Sequence, residues 1–128
     1  MKALTREWVR KAENDFKVAA QILRRRKNRV PDAACFFCQQ CAEKYLKARL
    51  VEAGVAFPKI HDLLRLVNLA TAVEPTWGWL IPAAKASTDY AVDFRYPGRW
   101  ATLREARLAL KHCKDFRAAV RRSLRLKV

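Results

Sequence analysis

CFFCQQCAEKYLKARL, residues 35–50, is the stretch whose reading decides the fold. It reads as one continuous helix, started by Pro31 and Asp32 and stopped by Gly54 shortly beyond its end. On a helical wheel of about 100° per residue, Gln39, Gln40, Glu43, Lys44 and Lys47 form one polar stripe. Cys35, Phe37, Cys38, Cys41, Ala42, Tyr45, Leu46 and Ala48 occupy the remainder. An apolar surface wider than half the circumference needs neighbours on several sides, so this helix belongs in the middle of a bundle. Its polar stripe is then expected to line a groove or a dimer seam.

The flanking chain supplies the helices to surround it. Trp8, Ala12, Phe16, Ala19, Ala20 and Leu23 recur at helical spacing and predict a first helix over residues 5–26, with Arg6, Arg10, Glu13 and Lys17 on the other face. A third helix is expected over residues 61–70, carrying Leu63, Leu64, Val67 and Ala70 inward. A further helical segment spans residues 77–89, with Pro82 in its first turns or at a kink. Residues 92–101, VDFRYPGRWA, read as a turn, because Pro97 extends the residue before it and Gly98 permits a reversal. The last helix opens on Thr102 and Glu105, a capping box, and carries Leu103, Ala106, Leu110, Cys113, Phe116, Val120 and Leu124 as an apolar stripe. The fold class is therefore all-α: an up-and-down bundle of about five helices, four long and one or two short, in one domain over residues 1–128.

The 128 residues are enough for a sizeable core without disulfide or metal staples. No run approaches the roughly 18 to 20 apolar residues that span a bilayer, and the first residues lack the apolar core of a signal peptide. A soluble cytoplasmic protein with reduced thiols and no membrane association is expected. The net charge is +15. Residues 1–30 hold ten Lys and Arg against three acids and residues 99–128 hold ten against two, whereas residues 31–98 hold seven of each. Such polarity attracts phosphate polymers or an acidic partner, or simply keeps a solvated face soluble. With five strictly alternating helices, the first and last helices end at the same end of the bundle. The basic patch of Arg24, Arg25, Arg26, Lys27 and Arg29 would there merge with Arg121, Arg122 and Arg125, within a cluster running from Arg117 to Lys127.

Chemistry-bearing residues are few. Cys35, Cys38 and Cys41 have a spacing seen in iron–sulfur ligand runs, but within a helix they spread over the buried face and read as small hydrophobes. No metal site and no cofactor are expected. One of His61 and Asp62 caps the third helix. Arg95 and Tyr96, held by Pro97, combine a phosphate-gripping guanidinium with a ring that stacks on a base; the competing reading packs Tyr96 into the bundle and pairs Arg95 with Asp89, Asp93 or Glu43. Lys47, Gln39 and Glu43 join them as candidate nucleotide- or phosphate-binding residues on the polar stripe. Arg107 and His112 supply the cation and the acid/base group that metal-free RNA cleavage requires. Five residues apart, they point about 140° from each other on an undistorted helix. Arg49 projects from the apolar side toward an acid such as Asp89 or the helix end.

Together, EWVRKAENDFKVA, AACFFCQQCAEKYLKARL, GVAFPKIHDLLRL and DFRYPGRWATLREARLAL, in this order, resemble the HEPN family (higher eukaryotes and prokaryotes nucleotide-binding) over nearly the whole chain. The resemblance implies a bundle of about five helices, commonly a homodimer, in a small prokaryotic protein. It implies a partnership with a minimal nucleotidyltransferase, as a two-component or toxin–antitoxin pair. Catalytic members carry Arg-x4-6-His followed by a Tyr two residues on; here the matching pair is Arg107 and His112, and Lys114 replaces the Tyr. That departure favours a nucleotide- or RNA-binding partner subunit. A metal-independent endoribonuclease toxin using Arg107 and His112 is the alternative, and a non-catalytic protein–protein adaptor is the second.

Overall fold

The computed structural model describes residues Met1–Thr88, Tyr90 and Asp93–Val128. The expected helix end at Asp89, and the pairings of Arg95 or Arg49 with Asp89, lie outside the described residues, as does the start of the turn at Val92. Among the described residues five α-helices, α1 (Ala3–Arg24), α2 (Pro31–Glu52), α3 (Leu63–Ala70), α4 (Ile81–Thr88) and α5 (Leu103–Ser123), are joined with short 3-10 segments that include Pro75–Leu80 and Asp93–Arg95. The described residues contain no strand. Among them no helix is long and apolar enough to cross a membrane.

Helix α2 is the central element, touching every other α-helix and pairing most extensively with α1 and then α5. Pro31 occupies its first turn, where the missing amide hydrogen goes unused, and Gly54 follows its end with φ of 72°. Cys35, Cys41, Ala42, Tyr45, Leu46, Ala48 and Leu50 are buried there. The thiols do behave as core: all four cysteines are free and buried. Burial pushes the Cys35 thiol up to about 12. Its hydrogen bond with Cys113, and then burial, raise that of Cys38. Thiols so held stay protonated and unreactive.

The inward face of α1 differs from its expected register. Thr5, Val9, Ala12, Asp15, Ala19 and Ile22 are buried, while Trp8, Phe16 and Leu23 sit at the margins. Small residues at the seam let two long helices approach closely, and the large rings then cover the edges. Polar groups on this seam are satisfied: Thr5 Oγ1 donates to Glu52 Oε1 at 2.8 Å and Lys44 pairs with Asp15 at 2.6 Å. These pairs also show that α1 and α2 run antiparallel.

Helix α5 runs parallel to α2, not against it. Asp32, at the start of α2, accepts from the amide of Ala101 just before α5, and Arg49, near the end of α2, donates to Ser123 at the end of α5. The short segments between them together make one return across the bundle, so α5 lies antiparallel to α1. The expected merging of the two basic clusters into one end is thereby corrected. Arg24 lies beside Arg107, whereas Leu126 lies beside Met1, Ala3 and Arg6, so the clusters stand at opposite ends.

The start of α5 matches its sequence signature, with both halves of the Thr102 and Glu105 capping box formed at 3.0 Å. Asp62, rather than His61, caps α3, accepting from the amides of Leu64 at 2.9 Å and Arg65 at 3.4 Å. The segment expected as one helix from residue 77 begins as the 3-10 turn Pro75–Leu80 and becomes helical at Ile81, with Pro82 in the first turn where it breaks no hydrogen bond. Arg49 finds its acid in Glu74, at 3.1 and 3.2 Å.

Candidate nucleic-acid interface

The polar stripe of α2 is not an open groove. Gln39, Glu43 and Lys47 are 0%, 3% and 5% exposed. Gln39 Nε2 donates to the carbonyl of His61 at 3.0 Å and lies 3.3 Å from Glu43 Oε1. Glu43 also accepts from Lys47 Nζ at 3.0 Å and contacts His61 Nδ1 at 3.0 Å. Lys47 is enclosed further by the rings of Trp8 and Phe57, at 5.6 and 5.8 Å from their centroids. The expected ligand groups are thus consumed in holding the segment after α2 against the helix. A buried ion pair with its remaining hydrogen bonds met is a structural device, since an unpaired charge there would be costly.

A second polar network locks α5 onto α1 and α2. Arg117 grips Glu13 with two parallel hydrogen bonds, Nη2 to Oε1 at 2.7 Å and Nε to Oε2 at 2.9 Å. The Tyr45 hydroxyl donates to the same carboxylate and accepts from Arg121 at 3.1 Å. Burial works to raise the carboxyl of Glu13, but the hydrogen bonds from Arg117 and Tyr45 and the Arg117 and Arg121 charges outweigh it and hold it below its ordinary value. Arg121, expected in a solvent-facing patch, is instead tied into this network, while Arg122 and Arg125 remain exposed.

Arg95 and Tyr96 are displayed by the turn that Pro97 and Gly98 build. Gly98 adopts φ of 100°, a left-handed conformation open to glycine at no steric cost. The amide of Ala101 donates to Asp32 at 2.6 Å and fixes the far end of the turn to α2. Tyr96 is 63% exposed and Trp100 is 79% exposed. Phe94 is buried instead, stacked with Tyr90 at 5.4 Å. Arg95 lies over the ring of Phe36 at 5.3 Å and Arg99 over Phe94 at 5.1 Å. Two guanidiniums are held on inner rings while two outer rings face solvent around a hollow of about 300 Å³. Arg99 and Trp100 belong to this constellation but were missed among the expected site residues. Their signal was present in the sequence as aromatic and Arg residues alternating through FRYPGRW.

Arg107 and His112 do not come together. Arg107 lines a groove between α1 and α5, and His112 is absent from that lining. His112 Nδ1 is buried without a hydrogen-bond partner among the described residues. Burial, and then the charge of Lys111, lower its pKa, so the imidazole is neutral at neutral pH. The groove measures about 660 Å³. No group of three or more metal-ligating side chains occurs among the described residues.

The HEPN domain family model matches residues 5–123, and the chain belongs to the HEPN family. Among curated proteins it is similar to one named "Putative toxin MJ1304" from Methanocaldococcus jannaschii, 31% identical over 96 residues covering 70% of this chain. The match spans 61% of that relative's length. Among solved structures it is similar to TT1696 from Thermus thermophilus, with a TM-score of 0.77 and 26% identity, covering 92% of this chain and 96% of that one.

Proposed function

We propose that this HEPN protein binds nucleotide or RNA phosphate and acts as the partner subunit of a minimal nucleotidyltransferase in a toxin–antitoxin type pair, without cleaving RNA by itself. The observation that carries the binding is the turn at residues 93–100, where Arg95 and Arg99 flank two solvent-facing rings, Tyr96 and Trp100. Guanidiniums grip phosphate and rings stack on bases, a combination tolerant of sequence. The toxin–antitoxin setting is supported by the name of the archaeal relative, "Putative toxin MJ1304". The nucleotidyltransferase partner and a homodimeric state are part of this reading and rest on the family resemblance alone.

The test is titration of a fluorescent single-stranded oligonucleotide. Tyr96→Ala and Trp100→Ala are each expected to weaken binding about tenfold, the scale of one lost stacking contact. Unchanged affinity in both would sink the reading.

A second reading, the metal-independent endoribonuclease, draws on the neutral imidazole of His112, which suits a general base. Because Arg107 and His112 diverge on α5, it requires groups from two copies of the chain. RNA incubated in EDTA with wild type and with His112→Ala decides it. Cleavage by the wild type that disappears in the variant establishes the nuclease and overturns the non-catalytic proposal.

A further inference from the structure

The groove between α1 and α5 is built differently from the turn. Its floor is apolar, formed by Phe16, Ala20, Leu23 and Leu110. Its rim is cationic, with Lys17 and Arg24 from α1 facing Arg107 and Lys114 from α5. Among the described residues none of these four cations has a carboxylate partner. The two nearby acids are occupied, Glu13 by Arg117 at 2.7 Å and Asp115 by Lys111 at 2.8 Å. From Glu13 to Arg24 the groove follows α1 for three turns, about 16 Å at the helical rise.

We infer that this groove is the docking site for an acidic amphipathic helix of a protein partner, apolar side chains on the floor and carboxylates against the rim. The inference deepens the partner half of the proposed function and rests on that reading. Charge and polarity choose the occupant. A second copy of the chain presenting the same groove would set cation against cation. A sugar–phosphate chain would satisfy the rim but leave the apolar floor wet. A helix carrying Leu-type side chains at three- and four-residue spacing with Glu or Asp on both flanks satisfies both, in the helix-in-groove manner.

The probe is a fluorescent peptide of about 16 residues, roughly four turns, with Leu along one face and Glu elsewhere. A peptide of the same composition in scrambled order is its control. Wild type is expected to bind the patterned peptide about tenfold more tightly than the scrambled one, as burial of one or two apolar side chains requires. Lys17→Glu with Lys114→Glu, both at exposed positions, is expected to weaken patterned-peptide binding at least tenfold. Leu110→Ser should do the same while leaving oligonucleotide affinity unchanged, with circular dichroism confirming its helix content. Equal binding of the two peptides, or indifference to the charge reversal, overturns the groove. So does loss of oligonucleotide binding in Leu110→Ser, which would make the groove an RNA site, or a change of oligomeric state in the charge-reversed variant, which would make it a self-interface. The same titrations read the turn at residues 93–100: a peptide that fails while the oligonucleotide binds overturns the groove alone, whereas the reverse overturns the binding reading and spares the groove.

Discussion

At the scale of single residues, Glu43 and Glu13 show how similar surface-looking carboxylates become structural. Glu43 is enclosed by Lys47, His61 and Gln39. Glu43→Ala would strand a buried ammonium, and is expected to cost about 3–5 kcal/mol in urea unfolding with no effect on oligonucleotide affinity beyond that of unfolding. A large affinity loss in the folded variant would return the stripe to the binding site. Glu13 makes a different prediction because its pKa is depressed in the folded state. Its stabilising effect is present above the ordinary carboxylate range near pH 4 and is lost as pH falls through the folded value. Glu13→Gln is therefore expected to destabilise by about 2 kcal/mol at pH 7, the scale of a charged hydrogen bond, and the gap between variant and wild type should narrow in thermal melts below about pH 4. A constant gap at all pH values would contradict this assignment.

At the scale of elements, the ends of helices were legible and their buried faces less so. The Thr102 and Glu105 box needs residue types three apart and nothing from elsewhere in the chain. Thr102→Ala is expected to cost about 1 kcal/mol, seen as a lower melting temperature with α5 retained in circular dichroism. Gly54 and Pro31 likewise mark the ends of α2 from the backbone rules of their own residues. By contrast, α1 buries Val9 and Ile22 where Trp8 and Leu23 were expected, because a close helix pair selects small and branched side chains for its seam. Periodicity locates a face only to within about one residue, roughly 100°. Asp62 and His61 divided their roles the same way: capping was readable, but the contact of His61 with Glu43 depends on how the segment after α2 returns.

At the scale of the whole molecule, the basic clusters sit at opposite ends because α5 runs parallel to α2. Arg24→Glu and Arg125→Glu are therefore expected to act independently, each changing binding to a long polyanion by its own amount and the double variant by their sum, as for separated sites. Strong coupling between them, measured as a departure from additivity beyond about 0.5 kcal/mol, would argue for one merged patch. The sequence by itself determined the helical class, the central place of residues 35–50, the thiols as core, the divergence of Arg107 and His112 along one helix, and the turn at FRYPGRW. Each of these follows from periodicity, composition or the fixed dihedrals of Pro and Gly, which are local. Only the tertiary structure decided the direction of α5, the withdrawal of Gln39, Glu43 and Lys47 into a buried network, and the cationic groove between α1 and α5. Those depend on how many times the chain crosses the bundle and on which distant charges meet, and no local pattern encodes either.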